Sequence, residues 1–179
     1  FYDVSRGSIE INGVDIRKYD LESLRAQVGY VAQKAHMFKG SIRSNICFGK
    51  PEASDEEMHH AARVAQASDF ISKRENGYLD EIAEDGTNIS GGQKQRLSIA
   101  RVILKKPSLY IYDDSFSALD FKTDATLRKA LKPEVKDAIF FVVAQRISTI
   151  MDSDMIIVLD EGQIIGLGTH LELLKNCSV

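Results

Sequence analysis

The sequence predicts an α/β fold with a mostly parallel sheet. Short apolar runs at residues 28–32, 108–112, 138–144 and 155–159 read as strands, and segments of helical spacing separate them. No internal repeat interrupts this alternation. A chain of 179 residues is long enough for one domain, or one domain with a lobe, around a sizeable core.

Composition is that of an ordinary soluble globular protein, 44% apolar and 27% charged. A net charge of −3 provides neither a basic surface for nucleic acid nor a polyacidic tail. Cys47 and Cys177 are far apart and lack metal-ligand spacing, which favours free thiols in a reducing compartment. The longest apolar stretch, 138–144, is too short to cross a bilayer. No signal peptide is visible. Any membrane contact therefore comes through a partner or through sequence outside these residues.

Taken in order, Ser8-Ile9-Glu10-Ile11 alternates like a buried strand, and Asn12-Gly13 reads as a hairpin turn. A domain seldom begins one step before a buried strand, so a truncated front end is predicted. Asp20 caps a short helix through Leu24. Residues 28–32 form a buried strand that ends at Gln33, where side chains reach ligands at a sheet's carboxyl edge. Ser41 caps another short helix. Residues 51–86 read as helical, opening on the capping box Ser54-Asp55-Glu56-Glu57. Ala61, Ala62, Val64 and Ala65 give that region a small-residue packing face, and Asp69-Phe70-Ile71 starts a second helix.

The chain is organised around Asn88-Ile89-Ser90-Gly91-Gly92-Gln93-Lys94-Gln95-Arg96, a loop that becomes a helix. Ser90 is the N-cap. Gly91 and Gly92 lack Cβ atoms and let a ligand approach the backbone. Leu97, Ala100 and Leu104 recur at helical spacing as an apolar face. Such a helix start offers free N–H groups and a positive dipole end to an anion such as phosphate. An ordinary glycine turn capped by serine accounts for Ser-Gly-Gly alone.

Pro107 ends this helix. The strand at 108–112 runs into Asp113-Asp114, and two carboxylates at a strand end inside a cleft call for a cation or a proton to offset them. A solvated acidic turn is the other reading. A helix at 123–131 is stopped by Pro133, and the continuous apolar run 138–144 reads as a core strand. Gln145-Arg146-Ile147-Ser148-Thr149-Ile150 follows it. After the strand at 155–159, Glu161-Gly162-Gln163 turns the chain into Ile164-Ile165. Thr169-His170-Leu171-Glu172 is a second capping box and opens the last helix.

Several of these runs together resemble one family. Ile89-Ser90-Gly91-Gly92-Gln93-Lys94-Gln95-Arg96 resembles the signature sequence of ATP-binding cassette (ABC) ATPases. Residues 33–49, with Met37-Phe38-Lys39-Gly40-Ser41-Ile42-Arg43-Ser44-Asn45-Ile46, resemble the Q-loop region of ABC exporters. Residues 108–113 resemble a Walker B strand, and Ser117-Ala118-Leu119-Asp120 matches the D-loop. The likeness covers essentially the whole chain in the right order.

It implies a P-loop NTPase (RecA-like) fold with a helical subdomain. The core would comprise residues 1–35 and 106–179, and the signature subdomain residues 36–105. It implies ATP and Mg²⁺ as ligands, with Gln33 and Asp113 at the metal, Asp113 through water. Such domains pair head to tail, so Ser90, Gly91 and Gly92 would bind the γ-phosphate of a partner's ATP, with Gln93 carried over in the same motif. The loop beyond Gln33 would meet the transmembrane domain at the cytoplasmic face of the membrane. Glu84-Asp85-Gly86 resembles the segment that touches the coupling helices, and a solvated acidic loop remains open for it.

Three departures from the pattern matter. No Gly-x-x-x-x-Gly-Lys-[Ser/Thr] is present, so the N-terminal strand and phosphate loop that the family builds around are missing, and the fragment alone is expected to bind ATP weakly. Asp114 stands where the family has the glutamate that polarises the attacking water. It is shorter by about 1.5 Å, one C–C bond. A base works within roughly 2.6–3.2 Å of its proton, and a misplacement of about 1 Å costs on the order of 10²-fold in rate. Gln145 stands where the family has its switch histidine, and an amide can neither carry a positive charge nor shuttle a proton. Both substitutions fall in one half of a composite site while the signature is intact. This pattern resembles the degenerate-site half of a heterodimeric multidrug-type exporter. A non-transport ABC ATPase of DNA repair or translation, and a regulatory half that senses ATP with little hydrolysis, are the alternatives.

Overall fold

A computed structural model of the chain describes residues 4–176; Phe1, where the predicted truncation falls, and Cys177 lie outside them. Local signals in the sequence set most of the helix starts. Strands β1 (Glu10–Ile11) and β2 (Val14–Asp15) form the hairpin around Asn12-Gly13, both at positive φ, as a tight two-residue turn requires. The hairpin is short and Ile9 is exposed, so this is a surface ribbon and not the buried strand expected. Helix α1 (Leu21–Gln27) is capped by Asp20, which accepts the Ser23 N–H at 2.9 Å. It leads into β3 (Val28–Val31).

The next segment is mainly helical. After β4 (Gly40–Ser41), Ser41 caps α2 (Ile42–Ile46) by accepting the Ser44 N–H at 3.0 Å. Helix α3 (Asp55–Val64) opens on the full Ser54/Glu57 capping box, and α4 (Ser68–Ile71) follows. Within the stretch predicted to be helical, β5 (Glu81–Ile82) pairs antiparallel with β4 instead. Helix α5 (Gly91–Lys105) buries Leu97, Ala100 and Leu104, as their spacing predicts, against α2, α3 and β3. Each fully buried Leu or Ile of this kind contributes about 1.5–3 kcal/mol. Gly29 lets α5 come this close to β3, because a Cβ there would lie 2.5 Å from Val102 and 2.6 Å from Pro107.

Two cationic side chains in this half are bonded to backbone carbonyls. Arg101 donates from Nε to the Asn45 carbonyl at 2.8 Å and lies beneath the stacked rings of Phe38 and Phe48. Burial lowers its pKa to about 10, which leaves it charged at neutral pH. Lys105 Nζ caps α1 through the Arg25 and Val28 carbonyls, at 2.5 and 2.8 Å.

Strand β6 (Leu109–Asp113) lies between β3 and β7 (Ile139–Val143), all parallel, so the parallel sheet has order β3-β6-β7. Helix α6 (Phe121–Glu134) connects β6 to β7. It runs through Pro133, contrary to the predicted stop. A proline this close to the C-terminus removes only one helical bond, and the Val135 N–H still reaches the Leu131 carbonyl at 3.1 Å. After α7 (Ile147–Ile150), β8 (Ile156–Asp160) and β9 (Gln163–Gly168) make a separate antiparallel hairpin, turned by Glu161 and Gly162 at positive φ. The parallel sheet is therefore smaller than expected. Helix α8 (His170–Asn176) opens on the predicted Thr169/Glu172 box.

Residues 138–144 do not form a core strand buried on both sides. Side chains alternate along β7: Phe140 and Val142 pack with Tyr110 and Tyr112, while Ile139, Phe141 and Val143 are exposed on the other face. Helices cover one face of this sheet, and Tyr30 and Asp113 stand on the other.

Candidate functional site

Three parallel strands end side by side, and each delivers a predicted residue. Gln33 follows β3, Asp113 closes β6 with Asp114 next to it, and Gln145 follows β7. The Gln33 and Gln145 amides, more than a hundred residues apart in the chain, donate to the same oxygen, Asp114 Oδ2, at 3.1 and 3.3 Å. Asp114 adopts a left-handed backbone (φ 43°), and its N–H donates to the Val143 carbonyl at 2.9 Å. That bond ties the carboxylate to the end of β7, where Gln145 emerges.

Tyr30 was missed by the sequence reading. Its hydroxyl donates to Asp113 Oδ2 at 2.8 Å. The hydrogen bond to this carboxylate, followed by burial and the negative charge, raises the Tyr30 phenol pKa above its ordinary value. The alternation of β3 placed Tyr30 on one face, but only the β3-to-β6 register shows that Asp113 shares it.

The mouth of α5 is a second feature. Ser90 Oγ accepts the Gln93 N–H at 3.3 Å, and Gln93 Oε1 accepts the Ser90 N–H at 3.0 Å. Gln93, placed by motif alone, thus completes a capping box. Ser90 and Gly91 are exposed, and a Cβ built at Gly91 would meet nothing within 4 Å. Gly92 faces its own chain, where a Cβ would stand 3.3 Å from the Ala118 carbonyl. Behind the mouth, Arg96 donates to the Gln66 carbonyl at 2.7 Å and lies over Phe70. Buried Gln95 donates to the Ala32 carbonyl at 3.1 Å, one residue before Gln33. Neither role was visible in the sequence.

The segment between the two features is also fastened. Ser117 Oγ donates to the Asp114 carbonyl at 2.6 Å, Leu119 is buried, and Ala118 is exposed. Asp120 caps α6, and its bonds from the Thr123 N–H and hydroxyl lower its pKa. Arg146 lies over Phe121 and donates to the Ser117 carbonyl at 3.4 Å. Just before the signature, Lys94 Nζ holds the Asp85 carbonyl at 2.7 Å, while Glu84 and Asp85 stay exposed.

Residues 1–117 match the family described as ABC transporter. The chain belongs to the ABC transporter family. A Bacillus subtilis relative named "Putative multidrug export ATP-binding/permease protein" is 48% identical over 174 residues. That alignment covers 97% of this chain and 30% of the relative. A Staphylococcus aureus (strain NCTC 8325) protein of the same description is 44% identical over 176 residues, covering 98% of this chain and 30% of its own. The solved structure of a bacterial Atm1-family ABC exporter with ATP bound superposes with a TM-score of 0.94 at 39% identity. It covers 97% of this chain and 30% of that one, and carries the P-loop NTPase fold to this chain. The chain thus spans about 30% of the length of the curated relatives it matches.

ABC transporter domains of this kind bind nucleotide, with Mg²⁺ as the typical ion. The donor chemistry here fits Mg²⁺, which takes oxygen ligands from one or two carboxylates, water and substrate phosphates. Asp113 supplies a carboxylate. Gln33 keeps its amide oxygen while its nitrogen is engaged with Asp114. Among the described residues no group of three or more His, Cys, Asp or Glu could hold a metal ion. No helix among them is long and apolar enough to cross a membrane.

Proposed function

We propose that this chain is the ATP-hydrolysing motor domain of a membrane exporter, acting at the cytoplasmic face of the membrane. The meeting of Gln33, Asp114 and Gln145 at the ends of adjacent parallel strands carries the reading. The relatives' names as export ATP-binding/permease proteins support it.

The domain pairs head to tail with a second nucleotide-binding domain, and ATP lies between them. The first turn at Ser90, Gly91 and Gly92, exposed at Ser90 and Gly91, receives the γ-phosphate of the partner's nucleotide, through backbone N–H groups and the dipole of a 15-residue helix. Gln93 holds that turn in shape. On the chain's own side, Asp113 and Gln33 hold Mg²⁺, which neutralises phosphate charge when bound. The D-loop, Ser117, Ala118, Leu119 and Asp120, links the two features because it starts from Asp114 and passes Gly92. The loop at 33–49 and Glu84-Asp85-Gly86 meet the coupling helices of a transmembrane domain. Nucleic acid is no partner.

The chain's own site is the degenerate one, and the partner is a different chain. Asp114 is short for a general base, and two amides occupy one of its oxygens. Gln145 donates a hydrogen bond but no charge. In the assembled transporter, Gly91→Asp blocks the site completed by this signature, so residual turnover belongs to the Asp114 site. That turnover is slow, and Asp114→Glu with Gln145→His raises it about 10²-fold. Fast residual turnover before the exchange contradicts the degenerate site. The engaged Asp114 oxygen also favours a second reading, an ATP-sensing half. ATP retained with no phosphate release from any of these variants selects it.

A further inference from the structure

We propose that Tyr30 is a positioning residue for the metal-binding carboxylate of Asp113. The inference rests on Asp113 holding Mg²⁺, as read above. Tyr30 pairs in register with Ile111, so Asp113 is its diagonal neighbour two residues further along β6 and on the same face. Diagonal neighbours on a sheet are within reach of an aromatic side chain and beyond that of serine or threonine. The hydroxyl spans this gap and donates to Asp113 Oδ2 at 2.8 Å.

The bond restrains a partly buried side chain at the last position of a strand. It engages Oδ2, one of the two oxygens that this carboxylate can offer. Tyr30 is 42% exposed, so burial of its ring does not explain a tyrosine here. Phenylalanine would give the same apolar surface without the hydrogen bond. A hydrogen-bond donor behind a metal-bound carboxylate orients the ligand and tunes its basicity, and losing such a partner weakens metal binding about 10- to 100-fold.

The test uses the assembled full-length transporter with Mn²⁺ in place of Mg²⁺. Metal affinity is read by electron paramagnetic resonance in the presence of a non-hydrolysable ATP analogue, with the partner's own phosphate loop disabled. Tyr30→Phe should weaken Mn²⁺ binding on the order of 10-fold while the melting temperature and nucleotide affinity stay within error. Tyr30→Leu should match Tyr30→Phe, because the hydroxyl and not the ring acts. Unchanged Mn²⁺ affinity in Tyr30→Phe overturns the role of Tyr30. If Asp113→Asn abolishes Mn²⁺ binding in the same experiment, the metal site itself survives that result. If Asp113→Asn leaves Mn²⁺ binding intact, the metal assignment and the role of Tyr30 fall together.

Discussion

The helices around α5 and the strands from β7 onward solve their packing differently. In the helical region the apolar faces of α3 and α5 are covered, although Phe38, Phe48 and Leu79 are exposed, and the polar groups of Asn45, Gln95 and Arg101 bond within the fold. Around β7 and the β8-β9 hairpin, one face stays open, with Phe141, Leu159, Ile164 and Leu167 exposed. The candidate site lies at the boundary. Its signature helix is packed into the first region, while Tyr30 on β3, Asp113 on β6 and Gln145 after β7 stand on or beside the open face of the parallel sheet. Stability and chemistry are therefore separable by mutation.

The largest expected effect lies in the covered region. Leu97→Ala should cost about 2–5 kcal/mol by urea denaturation, because Leu97 is fully buried and its truncation leaves a cavity. Gly29→Ala should cost about 1–3 kcal/mol, since the new Cβ drives into Val102 and Pro107. Ser54→Ala removes one half of a capping box and should cost about 1 kcal/mol. Phe141→Ala, on the open face, should stay under about 1 kcal/mol by the same assay. If Phe141→Ala costs as much as Leu97→Ala, the contrast between the regions fails.

The smallest effect is a pH dependence. The Asp120 carboxyl is held below its ordinary pKa by the Thr123 N–H and hydroxyl at the start of α6. A depressed folded-state pKa stabilises the fold above the unfolded value, near 4, and the gain is lost as pH falls through the folded value. Asp120→Asn should therefore flatten the fall in melting temperature as pH drops below about 4, relative to the unmodified chain. An unchanged acid slope would mean that this cap is not formed in solution.

What the sequence disclosed divides along the same line. Caps at Asp20, Ser41, Ser54, Ser90 and Thr169 were legible because donor and acceptor lie three residues apart. Motifs singled out Gln33, Asp114 and Gln145, although nothing local said that both amides would share one oxygen. Tyr30 and Gln95 were invisible because their partners are 83 and 63 residues away, across a strand pairing that alternation alone cannot assign. The apolar run at 138–144 misled for the opposite reason. Composition reads hydrophobicity but not which face of a strand is covered, and Ile139 is 67% exposed.

The central claim is that the mouth of α5 receives a nucleotide's terminal phosphate from a neighbouring domain. Trapping the assembled transporter with Mg-ADP and orthovanadate, then irradiating it, tests this directly, because excited vanadate oxidises and cuts the backbone beside it. The account predicts light-dependent cleavage of this chain at Ser90, lost in Gly91→Asp. A trapped transporter whose chain stays uncut between residues 89 and 93 would contradict it.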